Sequence, residues 1–257
     1  MAKRTPIITL TTDFGTRDSY AAEMKGVILS ILPGARIIDV THELPPYDPW
    51  RAGFTLAAAA AAFPSDTVHV AVVDPGVGTA RRPLALRAGG QWFVGPDNGL
   101  FSLLRIRDPH GAAWVLPVRP GASRTFHGRD VFAPAAARLA KQGAGSRLPW
   151  KRTRCPMVFD DVVPVRASER SWEGRVIGAD RFGNVETTLP GGWWERGASL
   201  TLAGKRISNK VAAFQDLARH TLGVLVNSRN RLEIVGNQCS AEERLRARVR
   251  QHVKLEL

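Results

Sequence analysis

The stretch VVDPGVGTARRP, residues 72–83, sets the carboxylate of Asp74 at the end of an apolar run, then adds two glycines and two arginines. Three roles suit those residue types at that spacing: a phosphate cradle, a structural turn, or half of an active site. A dinucleotide loop needs a third glycine opening a helix. Here Gly76 and Gly78 lead into Thr79, Ala80 and Arg81, and Pro83 blocks an early helix, so the dinucleotide reading fails. Asp74 has counterparts, because Asp13, His42 and Asp97 also stand where an apolar run stops. In open α/β sheets ligands bind outside the carboxyl ends of the strands, so four such groups would converge on one cleft. A single carboxylate there is better explained as a cap on a helix or turn. Four in succession favour a site.

These side chains need strands to carry them. IITLTTDF is a β-branched run ending at Asp13, and Ala21, Met24, Val27, Ile28 and Ile31 then recur at helical spacing until LPGA stops them. ARIIDVTH reads as a second strand, Arg51–Phe63 as a second helix, TVHVAVVD as a third strand and QWFVGPDNG as a fourth. Strands separated by helices of this length imply right-handed βαβ units, hence an α/β N-terminal domain with a mostly parallel sheet. Phe132–Ala140 reads as a further helix, and Gly143–Pro156 as a basic stretch punctuated by proline and glycine. Beyond it, EGRVIGADRFGNVETTL, ASLTLAGKRI, LGVLVNS and RLEIVGN are short strands between turn residues, the pattern of a small all-β, barrel-like domain. The expected division is an α/β domain at 1–150, a linker at 151–165 and the β domain at 166–257.

The apolar fraction of 44% and charged fraction of 23% suit a soluble globular chain, and 257 residues can bury a real core. No apolar run approaches the roughly 18 residues of a membrane span. Ile7–Leu10 is too short for a signal-peptide core, so a cytoplasmic protein is expected. Cys155 and Cys239, the only cysteines, form no metal-type pair and no disulfide framework; both are expected to be packing residues, and no metal is expected. The net charge of +13 is unevenly placed: residues 1–100 hold nine Lys/Arg against nine Asp/Glu, whereas Arg138–Arg154 holds six bases and no acid. A basic face suits an anionic partner. No interleaved aromatics or nucleic-acid motif accompany it, so no nucleic-acid partner is expected.

The motifs LTTDFGTRDSY, DVTHELPPYD, HVAVVDPGVGTARRP, FVGPDNGLFS, FHGRDVF, DRFGNVETTL and NSRNRLEIVGNQCSA run in order along nearly the whole chain. Together they resemble the S-adenosyl-L-methionine hydroxide adenosyltransferases, water-using relatives of the fluorinase and chlorinase. The resemblance implies an α/β domain, a β-barrel domain and a homotrimer with sites between subunits. It also implies a catalytic set of Asp74, Arg81 and His127, with the glycines turning the chain so that Arg81 returns to Asp74. Asp13 would hold the ribose hydroxyls and Tyr47 would lie against the nucleoside. Asp18 and Asp180 would meet the methionine ammonium and Ser228 with Arg229 its carboxylate, while Phe182 and Asn184 would face adenine. By themselves, Phe182–Asn184 read as a hairpin turn with a core aromatic.

The implied reaction is hydrolysis of S-adenosyl-L-methionine to adenosine and L-methionine by in-line attack of water on the ribose C5′. A carboxylate or imidazole can take the water proton and an arginine can stabilise the developing anion. The substrate is a small molecule, with no cofactor and no membrane involved. The alternatives are a halide adenosyltransferase of the chlorinase kind and a nucleoside- or RNA-binding protein of the same fold.

Overall fold

The run Ile7–Thr12 forms strand β1, with Ile8 and Leu10 buried on one face and Thr9 and Thr11 on the other. Side chains alternate across a strand, so one buried on both faces belongs inside a covered sheet. The structure is a computed structural model that describes residues 5–143, 148–154 and 156–257. The chain divides into two compact units, Met1–Phe159 and Asp160–Leu257. Cys155 and residues 144–147 of the basic stretch lie outside the described residues.

In chain order, the first unit holds β1, α1 (Tyr20–Ile31), β2 (Arg36–Thr41), α2 (Pro49–Ala60), β3 (Val68–Val72), β4 (Pro83–Ala88) and β5 (Gln91–Pro96). It continues with α3 (Ser102–Arg107), β6 (Ala112–Val115), α4 (Ala133–Gln142) and β7 (Lys151–Thr153). Helix α2 starts where its sequence says: Pro49 needs no N–H partner in the first turn, and Asp48 accepts the Arg51 N–H at 3.0 Å. Met24 and Ile28 of α1 and Ala133, Ala136 and Leu139 of α4 join Ile8, Leu10, Val70 and Val94 in one core.

The sheet runs β2-β1-β3-β5-β4-β6-β7. The expectation of a mostly parallel sheet is corrected here, because the sheet is mixed. Strands β2, β1, β3 and β5 pair in parallel, whereas β5-β4-β6-β7 pair antiparallel. The reason is the connection between β4 and β5, which is only Gly89 and Gly90, at φ 55° and 78°. Two such residues make a tight hairpin, and a parallel pairing would need a crossover of a dozen residues or more. The signal was present in the glycine pair between LALRA and QWFV. Strand β7 falls within the segment expected to be a linker.

The second unit contains β8 (Val165–Ser168), β9 (Ser171–Ala179), β10 (Val185–Pro190), β11 (Ser199–Leu202), β12 (Lys205–Ile207) and β13 (Leu222–Val226). After these come β14 (Arg231–Gly236), α5 (Ala241–Leu245) and β15 (His252–Glu256). The order is β12-β11-β15-β9-β10-β14-β13, with β8 on β9, and the named strands pair antiparallel. Val224 of β13 reaches the segment after β12, donating to Asn209 O at 2.8 Å and accepting from Val211 N–H at 2.9 Å. These two bonds join the ends of the strand order, which makes the sheet nearly a barrel around Val176, Val185, Leu200, Leu232, Ile234 and Leu255. Among the described residues, no helix is long and apolar enough to cross a membrane.

Candidate active site

Strand β3 ends at Val72, Val73 and Asp74 follow, and the chain turns at once: Val77 N–H reaches Asp74 O at 3.2 Å, and Thr79 N–H reaches Gly76 O at 3.2 Å. Gly78 stands at φ 75°, in the left-handed region that a side chain disfavours. Gly76 presents no side chain where the aliphatic part of Arg81 folds back. The turn therefore returns Arg81 to Asp74. Arg81 Nε donates to Asp74 Oδ1 at 2.9 Å and Nη2 donates to Oδ2, a fork-on-fork pair with side chains 8% and 5% exposed. Phe132 lies beneath the guanidinium, its ring centroid 5.3 Å from Cζ. Arg81 Nη1 is buried without a hydrogen-bond partner among the described residues.

His127 comes from 46 residues further along the chain, just before a single π-helical turn, Gly128–Phe132. Such turns are frequent at functional sites. Its Nδ1 lies 2.8 Å from Arg81 Nη2. A guanidinium can only donate, so Nδ1 accepts, and the neutral ring carries its proton on Nε2. Burial holds the His127 pKa below the usual imidazole value, and the Arg81 charge adds to this against the opposing charges of Asp74 and Asp130. The result is a chain Asp74–Arg81–His127 with two N–H donors, Arg81 Nη1 and His127 Nε2, not used within the chain.

Asp13 follows β1. Its Oδ2 accepts the Tyr47 N–H at 3.0 Å, and burial raises its pKa against that bond, with a smaller push from the Asp74 charge. Tyr47 is held at φ 63° and is 77% exposed. Asp18 is exposed in the loop before α1. The other two strand-end groups do not join the set. Asp97 accepts from Arg82 Nε at 2.8 Å and from Met157 N–H at 2.7 Å. His42 bonds Thr12 Oγ1 at 2.8 Å, and its Nε2 lies 3.1 Å from Asp39. Both are structural anchors.

In the second unit, Asp180 closes the β9–β10 turn, its Oδ1 accepting the N–H groups of Phe182 and Asn184, each at 2.9 Å. Asn184 Nδ2 donates to Asp180 Oδ2 at 2.9 Å; Asn184 is buried and Phe182 is 78% exposed. The bare hairpin reading therefore holds for the backbone, but the aromatic is no core residue. Ser228 and Arg229 sit exposed on the turn joining β13 to β14, which Asn227 Oδ1 caps by accepting from Arg229 N–H and Arg231 N–H at 3.0 and 3.1 Å. Arg229 Nη1 donates to Glu186 Oε2 at 2.8 Å.

Residues 8–148 match the family model for the SAM hydroxide adenosyltransferase N-terminal domain, and residues 174–254 match that for its C-terminal domain. The chain belongs to the SAM hydroxide adenosyltransferase family. Two similar relatives are named (R)-S-adenosyl-L-methionine hydrolase. The one from Thermus thermophilus is 39% identical, covering 91% of this chain and 93% of the relative. The one from Salinispora tropica is 40% identical, covering 91% of each. A fluorinase from Actinoplanes sp. is 32% identical over 73% of each chain. Among solved structures, an uncharacterized conserved protein from Thermotoga maritima superposes with TM-score 0.88 at 31% identity, covering 97% of this chain and all of that one.

Two features of this family member escaped the sequence reading. Phe14, Tyr20 and Phe126 form an aromatic trio with centroids 5.1 to 5.9 Å apart, tying the loop after Asp13 to the one before His127. Their adjacency to Asp13 and His127 was the available signal. The other is Glu186, whose partnership with Arg229 depends on a fold that local sequence does not reveal.

Proposed function

We propose that this chain hydrolyses S-adenosyl-L-methionine to adenosine and L-methionine. The observation that carries the reading is the Asp74–Arg81–His127 chain with its two unengaged N–H donors. A water bound at the His127 Nε2–H, near the Arg81 charge, sheds its proton to solvent more readily, because the donor and the cation both favour hydroxide over water. Asp74 fixes the plane of the guanidinium. The hydroxide oxygen forms a bond to C5′ as the C5′–S bond breaks, and the electron pair left on sulfur makes neutral methionine. Holding the oxygen about 3 Å from C5′, opposite sulfur, supplies the entropic share of the acceleration. Asp13 and Tyr47 take the ribose and nucleoside, Phe182 and Asn184 the adenine, Asp18 and Asp180 the ammonium, and Ser228 with Arg229 the carboxylate. No metal or cofactor takes part.

The further reading is a cytoplasmic homotrimer in which residues 180–229 of one subunit complete the site formed by residues 13–127 of another. What supports this is that the candidate binding residues fall in two separate units. Light scattering at low micromolar concentration should give three times the chain mass; a fully active monomer would overturn it.

The test of the reaction is mass spectrometry of adenosine formed in heavy-oxygen water, with and without chloride. Label in the 5′ hydroxyl and no halogenated nucleoside is the expected result. A chlorinated product would make the chain a halide adenosyltransferase instead.

A further inference from the structure

Strands β10 and β14 are antiparallel neighbours in which Glu186 stands directly opposite Glu233. Like charges abreast in a ladder destabilise it. Glu186 is 91% buried by its 9% exposure, so its charge needs strong partners. It has two: Arg229 Nη1 at 2.8 Å and Arg231 Nη1 at 3.3 Å, one on each carboxylate oxygen. Glu233 faces the same group; burial raises its pKa to about 7, and Glu186 and Asp180 push the same way against Arg229 and Asn227. Two carboxylates thus stand abreast beside Arg229 and Arg231, and the Asp180 charge adds to the crowding. A sheet gains nothing in stability from such an arrangement, and departures from local rules of this kind concentrate at functional sites.

The arrangement leaves Arg229 half-exposed yet tethered. Only Nη1 is spent on Glu186, while Nε and Nη2 make no hydrogen bond among the described residues. Those two donors form one edge of the guanidinium fork, the edge that takes a carboxylate bidentately. We infer that Glu186 is a positioning residue: by gripping Arg229 from behind, it aims the free edge at the α-carboxylate of the substrate's methionine moiety. The inference rests on the hydrolase reading and gives its methionine subsite a determinant in this chain. An untethered arginine at the tip of a turn would lose side-chain entropy on binding; the tethered one has already lost much of it.

The test measures equilibrium binding by calorimetry of two ligands, S-adenosyl-L-methionine and its analogue lacking the α-carboxylate. Wild-type protein, Glu186→Gln and Glu186→Asp are compared. The expected result is an affinity loss of about tenfold for S-adenosyl-L-methionine in both variants, with less than about twofold for the decarboxylated analogue. In turnover, KM rises and kcat holds within about twofold, since uniform binding alone is lost. Glu186→Asp keeps the charge but shortens the reach, so it serves if the glutamine variant does not fold. Equal losses for both ligands in the variants would overturn the inference and leave a purely structural role. Wild-type protein that binds neither ligand would sink the hydrolase reading itself, and the inference with it.

Discussion

A Cβ placed on Gly78 would lie 2.3 Å from the carbonyl oxygen of Arg124. The turn that returns Arg81 to Asp74 therefore rests directly on the segment leading to His127. Gly78→Ala must open that contact and also bear a left-handed φ of 75°. Destabilisation above about 1 kcal/mol is expected, together with at least a tenfold fall in kcat, since small misplacements of catalytic groups are costly. Urea unfolding and steady-state kinetics check it; a fully active, equally stable variant would show that the turn is not clamped.

Two adjacent arginines give a sharp contrast. Arg81 pairs with Asp74 in the site, whereas Arg82 bonds Asp97 and also Thr153 Oγ1 at 2.7 Å. Asp74→Ala, Arg81→Ala and His127→Ala should each lower turnover by about a hundredfold or more. Arg82→Ala should leave turnover within about threefold and show its cost in thermal stability, because one partner of a structural ion pair is lost. Equal effects at the two arginines would sink the assignment.

His127 predicts a pH profile. Its pKa is lowered, and only its neutral ring accepts the Arg81 N–H, so protonation removes the contact and the activity with it. The kcat of the wild type should be flat down through pH 6.5 and fall only below it. An acid limb centred above the ordinary imidazole value would mean that the charged ring is the working form.

His69 supplies a stability switch away from the site. It is fully buried, bonds Thr9 Oγ1 at 2.7 Å, stacks on Phe93 with centroids 5.0 Å apart, and burial lowers its pKa to about 4. The folded state thus holds His69 neutral while the unfolded chain protonates it near its ordinary value of 6.5. Its contribution is complete above pH 6.5 and is lost as the pH falls towards 4, by about 3 kcal/mol in all. Urea unfolding of wild type and His69→Gln at pH 7.5 and 4.5 should show the wild type losing more than the variant; parallel losses would place the effect on other groups.

The basic stretch is expected to be a solvated face. Lys151→Gln and Arg152→Gln, on exposed positions of β7, should leave hydrolysis nearly unchanged and cost little stability. Wild-type binding to RNA at physiological salt should be negligible by filter retention. Submicromolar binding that weakens steeply with salt and is lost in the double variant would point to a nucleic-acid footprint there.

The strands that end in Asp13 and Asp74 were legible because unbroken β-branched runs stop at a charge. The return of Arg81 was legible from Gly76 and Gly78. That Asp97 and His42 are anchors was not, since a carboxylate at a strand end looks the same whether it meets a substrate or Arg82. Strand β4 was missed because PLALRA holds no β-branched residue and lies between two glycine-rich turns, and the antiparallel half of the sheet went with it. Glu186 stayed hidden for a different reason: its meaning lies in cross-strand register with Glu233, and register is set by tertiary pairing.

The reversal of β4 sorts charge by chain polarity. Because Pro83 at the head of β4 pairs with Pro96 at the tail of β5, one edge of the sheet carries both strand exits and a strand entrance. Asp74 and Asp97 stand at the exits, after β3 and β5; Arg81 and Arg82 stand together at the entrance to β4. A sheet running wholly one way would crowd carboxylates along that edge with no returning chain to neutralise them. The backward strand β4, made possible by two glycines, brings in both cations at once and pairs one with Asp97 and the other with Asp74.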